Sequence, residues 1–155
     1  MKKKTVYIML SIVFFIFGHA SGRYLYGRYV ALTEDKEEKF FLLSRTLDRW
    51  FMSKQRGRLV YKTLSENGYH DIAIYGIGYL GERLLDELNG TDINVKYVID
   101  RNANNIDRDI KIVRPEDGLE AVDAIIVTPV LYYHEIKKKL SEKIDLPIIS
   151  IENII

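Results

Sequence analysis

The residues best placed to do chemistry lie between Ile72 and Asp100. Ile72-Ala73-Ile74-Tyr75 reads as a short apolar strand, and Gly76-Ile77-Gly78-Tyr79-Leu80-Gly81 follows it as Gly-x-Gly-x-x-Gly at the start of a helix. In that setting the first glycine allows a tight turn, the second lets a diphosphate approach bare backbone, and the third lets the helix lie close on the strand. The unpaired N–H groups at the helix start then point at the anion. Asp100 closes the next apolar run 19 residues after Gly81, where a carboxylate accepts hydrogen bonds from a ribose diol. An acid there repels a 2′-phosphate, so the pattern favours NAD over NADP, and Arg101 beside it tempers that preference. The expected ligand contacts are Gly76, Gly78, Gly81, Asp100, Arg101 and Thr128, and the expected ligand on this pattern is NAD. The competing reading is that the glycines only pack strand on helix while Asp100 caps a loop with Asn102.

Signals for catalysis are weaker. Tyr133 and Lys137 have the four-residue spacing at which a lysine one helical turn away lowers the pKa of a tyrosine for proton transfer. They support an alternative in which the chain is an NAD-dependent nucleotide-sugar epimerase or dehydrogenase. In Tyr132-Tyr133-His134-Glu135-Ile136-Lys137-Lys138-Lys139 such a spacing arises easily by chance, and the lysines read as a solvated face. His134 could reach a nicotinamide or a phosphate from the same edge, although a lone histidine at a helix start is more often structural. No paired carboxylates or serine–histidine set falls on adjacent elements, and Asp107 with Asp109 reads as a polar loop. The chain by itself is therefore expected to bind rather than catalyse. A third alternative is a scaffold that binds no ligand.

Composition narrows the field further. The 155 residues carry 23 basic and 22 acidic side chains, a net charge of +1 that gives no electrostatic case for nucleic acid. Apolar residues make up 47%, which is globular and excludes wholesale disorder. There are no cysteines and only three histidines, scattered at 19, 70 and 134, so neither a disulfide framework nor a metal site is expected.

The elements that must position the loop alternate strand and helix over the last 85 residues or so. Strands are expected at Ile72–Tyr75, Val95–Ile99, Asp109–Val113, Ala124–Thr128 and Pro147–Ile151, the third being weak. Helices are expected at Glu82–Leu88, with Leu84, Leu85 and Leu88 inward, and at Tyr133–Leu140. Strands this apolar must be covered on both faces, so the fold class is α/β, a five-stranded mostly parallel Rossmann-like sheet with flanking helices. Residues 69–155 form this expected nucleotide-binding domain.

Upstream the material changes. Lys2, Lys3 and Lys4 precede an apolar run, and no formal charge lies between Thr5 and Gly22. Residues 5–22 read as a membrane segment within an anchor spanning 1–30, retained rather than cleaved because Tyr24 and Tyr26 with Arg23 and Arg28 resemble an interfacial belt. A cleaved signal ending near Gly18 and Ala20 is the competing reading. The expected placement is a single N-terminal span with the soluble domain in the cytoplasm. Residues 31–68 read as a helical linker. Within it Thr33 is a candidate cap, Phe40, Leu43, Leu47 and Trp50 form one apolar stripe, and a second helix runs from Arg58 to Glu66 before Asn67-Gly68. The stripe is expected to pack within the chain, with a protein partner or self-association through residues 34–54 as the alternatives.

The region from Asp71 onward resembles the nucleotide-binding half of NAD(P)-dependent dehydrogenases. It looks most like small Rossmann proteins of the nucleoside-diphosphate-sugar epimerase-like type that accompany bacterial surface-polysaccharide genes. The likeness rests on Ile72 to Gly81, on Tyr97-Val98-Ile99-Asp100-Arg101-Asn102 and on Val122-Asp123-Ala124-Ile125-Ile126-Val127-Thr128. It implies nucleotide or nucleotide-sugar binding with an accessory or sensing role in envelope polysaccharide synthesis. Val122 to Pro129 is also similar to the fourth strand of glucose-fructose-oxidoreductase-like enzymes. The catalytic lysine that such enzymes carry after the fifth strand has no counterpart in Ile151-Glu152-Asn153, and no substrate domain is expected.

Overall fold

The computed structural model describes residues 36–103 and 109–155. The expected membrane segment 5–22, the Thr33 cap and Asp107 lie outside the described residues. Among the described residues no helix is long and apolar enough to cross a membrane. The chain divides into two compact units, Met1–Phe41 and Leu42–Ile155, and the sheet belongs to the second.

Five strands, β1 (Asp71–Tyr75), β2 (Asn94–Ile99), β3 (Ile112–Val113), β4 (Ala124–Val127) and β5 (Ile148–Ser150), form one sheet in the order β3-β2-β1-β4-β5. Every pairing is parallel. Helices are α1 over residues 36–55, α2 (Val60–Glu66), α3 (Tyr79–Leu88) and α4 (Tyr133–Ser141). All four residues of β4 are buried, as covering on both faces requires. One face carries Ile72, Ile74, Val98 and Ile126 against Trp50, Leu64, Leu84 and Leu88. The other carries Ala73, Tyr97, Ile99, Ile125 and Val127 against Leu140, with Tyr133 and Ile136 alongside. Each fully buried aliphatic side chain contributes about 1.5–3 kcal/mol relative to exposure.

Three expectations shift. The third strand shrinks to Ile112–Val113, both half-buried, because β3 is an edge with a partner on one side only. The third helix begins at Tyr79 rather than Glu82, with Gly78 as its extended N-cap, so Gly81 lies inside the first turn. Leu84 and Leu88 are buried there and Leu85 is half-buried.

The expected apolar stripe on α1 splits in two. Leu43, Thr46 and Trp50, at steps of three and four, turn toward the sheet, whereas Leu47 is exposed, as is Phe40 in the preceding unit. The stretch from Leu42 belongs to the sheet-bearing unit. Its attachment is polar as well as apolar. The Glu87 side chain, 7% exposed, sits at the end of α3. It accepts from Trp50 Nε1 at 2.8 Å and Lys54 Nζ at 3.0 Å through one oxygen, and from the Val60 N–H at 3.0 Å through the other. Arg45 and Arg49 both reach Glu152 Oε1 at 3.0 Å, fastening α1 to the 3-10 turn Ile151–Asn153 after β5. Thr46 is wholly buried, and its hydroxyl has no partner among the described residues.

Removing one side of a buried, multiply bonded network leaves desolvated donors unpaired. Glu87→Ala is expected to cost about 2–3 kcal/mol, and Thr46→Val to add up to about 1 kcal/mol by replacing an orphaned hydroxyl with a methyl of similar shape. Urea unfolding followed by the fluorescence of Trp50, the single tryptophan, reads both.

Candidate functional site

In a parallel sheet of this order the connections leave β1 and β4 toward opposite faces, and a crevice opens at the carboxyl ends of those two strands. The glycine loop, Asp100 and Thr128 all emerge there. Gly76, at φ +91°, makes the turn out of β1. A Cβ at that position would come within 2.9 Å of the Pro129 ring and 3.0 Å of Thr128 Oγ1. A Cβ on Gly81 would overlap the carbonyl oxygen of Gly76. Both glycines are thus required by the chain's own packing, the first by conformation and crowding, the second by the passage of α3 over the turn.

Gly78 differs. Its φ of −61° and ψ of −170° suit any residue, it is exposed, and no described residue stands within 4 Å of where its Cβ would be. Nothing among the described residues demands glycine there. Around it the N–H groups of Gly78, Tyr79 and Leu80 meet no acceptor among the described residues, as at any helix start that has no side-chain cap.

The other expected ligand residues are committed to bracing this loop. Thr128 is 4% exposed. Its hydroxyl lies 2.8 Å from the Gly76 carbonyl oxygen and 3.2 Å from that of Tyr75, so its single proton is held within the turn. Thr128 therefore positions the loop instead of lining the crevice with a free hydroxyl. Asp100 Oδ2 accepts from the Ile77 N–H at 3.1 Å, and Oδ1 accepts from the Asn102 N–H at 2.8 Å. The expected loop cap with Asn102 is therefore present, and the same carboxylate also grips the glycine loop. Each oxygen keeps a further lone pair for a diol. Arg101 is exposed beside it.

The catalytic candidates do not assemble. Tyr133 Oη donates to the Ile148 carbonyl at 3.0 Å, anchoring α4 to β5. Lys137 Nζ stands 5.7 Å from the centre of the Tyr133 ring, a cation–π arrangement rather than a partner for the hydroxyl. His134 is exposed and tilts against Tyr133 with ring centres 5.2 Å apart. Among the described residues no group of three or more histidine, aspartate or glutamate side chains is placed to hold a metal ion.

Three residues at this edge escaped the sequence reading. Tyr79, 75% exposed, stands at the mouth of the loop. Pro129 closes over Gly76, a contact that its place directly after Thr128 hints at. Tyr75 is half-buried, and burial pushes its phenol above the ordinary tyrosine value, Arg101 opposing and Asp100 adding to the shift. The phenol is neutral at physiological pH, a donor at the crevice edge and not a base.

These roles separate by mutation. Gly81→Ala is expected to destabilise by about 3 kcal/mol or more, because rigid backbone and not a flexible side chain stands in the way. Tyr133→Phe, which removes one hydrogen bond, is expected to cost about 1 kcal/mol. Thermal melts of the two variants against the parent check the order.

The family described as C2185-like, N-terminal, matches residues 68–151. That is more than half of the 155 residues, and the chain belongs to this family. No curated protein and no solved structure matches the chain.

Proposed function

We propose that this member of the C2185-like family is a Rossmann-like binding module that takes NAD or a nucleotide-sugar at the carboxyl edge of β1 and β4. The observation that carries the reading is Gly78. Two of the three loop glycines are explained by internal packing, whereas the exposed one has neither a conformational reason nor, among the described residues, a steric one to lack a side chain. A diphosphate lying over it supplies that reason and pairs the free amides of Gly78, Tyr79 and Leu80. Asp100, held toward the loop by the Ile77 amide, takes the ribose diol with its remaining lone pairs.

The module is an accessory or sensor in bacterial surface-polysaccharide synthesis, tethered through residues 5–22 with the binding domain in the cytoplasm, where nucleotides are plentiful. The resemblance of its three core segments to epimerase-like Rossmann proteins supports that setting. Commitment of the Tyr133 hydroxyl to Ile148 supports binding without turnover.

Ligand that binds only the folded state raises stability by mass action, about 2.7 kcal/mol at a hundred times Kd. For a chain of this size that is a rise of roughly 5–10 °C in Tm. The full chain is expected to show such a shift with NAD, NADH or a uridine-diphosphate sugar at millimolar concentration, and a smaller one with NADPH. Gly78→Ala is expected to change the ligand-free melt by less than about 1 kcal/mol while abolishing the shift. Absence of any shift across these ligands in the parent chain overturns the reading.

A further inference from the structure

The last turns of α1 and the bend that follows gather a second set of polar groups, all within the sheet-bearing unit. Asp48, Arg49, Met52 and Ser53 fall on one face of the helix by their spacing. At Gly57, whose φ of +74° favours glycine, the chain turns back. The turn leaves Arg56 and Arg58 on the same hollow as Arg49 and Ser53, a space of about 340 Å³ with Met52 and Ile155 as its apolar lining. That is the low end for small-molecule sites, which run from about 300 to 1,000 Å³. Val60, two residues beyond Arg58, bonds Glu87 in the last turn of α3, so this bend lies toward the end of α3 opposite the glycine loop.

The groups around the hollow are unequally committed. Arg49 gives one nitrogen to Glu152 Oε1 at 3.0 Å and another to the Glu152 carbonyl at 3.1 Å, so its charge is spent. Arg56 and Arg58 are exposed, and among the described residues their guanidinium groups meet neither an acid nor a carbonyl. The hydroxyl of half-buried Ser53 is likewise unpaired among the described residues. Basic side chains at the C-terminal end of a helix often cap its last carbonyls. Here the backbone does that work, since the N–H groups of Arg56, Gly57 and Arg58 donate to the carbonyls of Met52, Ser53 and Lys54. The helix dipole favours a cation at this end, but it asks neither for two on one hollow nor for a hydroxyl beside them.

Unspent donors of this kind define the ligand. A guanidinium presents a planar fork that matches two oxygens of a phosphate, and two of them match its double charge. One acid, Asp48, also lines the hollow, eight residues before Arg56 and so about 12 Å up the helix axis. A nucleic acid or a polyphosphate needs a longer stripe of one sign and is repelled at Asp48, whereas a single phosphate group at the arginine end is not.

We propose that the hollow at the end of α1 binds a single phosphate ester group, held by Arg56, Arg58 and the Ser53 hydroxyl, with Asp48 limiting its reach. The group belongs either to a soluble phosphoester or to a lipid headgroup. The site is independent of the nucleotide reading.

Titration calorimetry of the full-length protein in a nonionic detergent tests this, with glycerol 3-phosphate and a short-chain phosphatidic acid as the probes. The parent is expected to bind at least one of them. A preference for the lipid of roughly tenfold or more assigns the headgroup as the source, and any smaller ratio assigns the soluble ester. Arg56→Gln and Arg58→Gln are each expected to weaken binding roughly tenfold, and together to abolish it, without shifting the ligand-free melt. Arg56→Lys, which keeps the charge and loses the fork, falls between the parent and Arg56→Gln. Asp48→Asn is expected to tighten binding about threefold by removing a repulsion, an outcome that a purely structural role for these residues does not produce. Failure of both probes to bind overturns the proposal. So does binding that survives the double glutamine variant, which places the phosphate elsewhere, or Asp48→Asn that fails to tighten it.

Discussion

The passage of α3 over the carbonyl of Gly76 is the contact on which the architecture turns. Because Gly81 has no side chain, the first turn of the helix rests directly on the backbone of the turn, and the helix leaves β1 close enough for Leu84 and Leu88 to reach Ile72 and Ile74. The same carbonyl accepts the Thr128 hydroxyl, so β4 is tied to the turn at the point where the helix crosses it. Gly76 gives its own N–H to Ile99 at 2.8 Å, which ties in β2. One residue thereby fixes the relation of three strands and a helix. The crevice at their carboxyl ends is a by-product of that constraint.

Polar groups at this edge are largely spent on holding it together. Asp100 bonds two backbone amides, Thr128 bonds the turn, and Tyr133 bonds β5. Groups held so firmly suit recognition, since a preorganised site costs little to order when a ligand arrives. They suit proton transfer poorly, because a catalytic hydroxyl must be free to give up the proton that Tyr133 shares with Ile148. What the edge leaves unspent among the described residues is a row of amides around an exposed glycine, the donor arrangement that complements an anion.

The opposite economy governs α1. Its inward residues are ordinary core, and its hold on the sheet is strengthened by Glu87 and Glu152, each of which gathers donors from that helix. Among the described residues its outward apolar side chains stay exposed, Leu47 at 37% and Phe51 at 61%. Their exposure is a cost that the sheet-bearing unit does not recover internally.

How much of this was legible depended on how local each cause is. The strand–glycine–helix succession from Ile72 to Leu88, the buried strand at Ala124 and the acid at the end of β2 are dictated by short-range pattern, and they stand in the sequence as they stand in the fold. Composition alone excluded cysteine chemistry. Side-chain direction was another matter. A helical period says that Phe40, Leu43, Leu47 and Trp50 share a broad face, but which edge of that face meets the sheet depends on α2, α3 and the turn after β5, all distant in the chain. Likewise Thr128 and Tyr133 have the chemistry of ligand or catalytic residues in sequence, and only the folded neighbours, a carbonyl at Gly76 and another at Ile148, turned them into braces. Periodicity is a property of a segment, whereas the partner of a hydroxyl is a property of the whole packed chain.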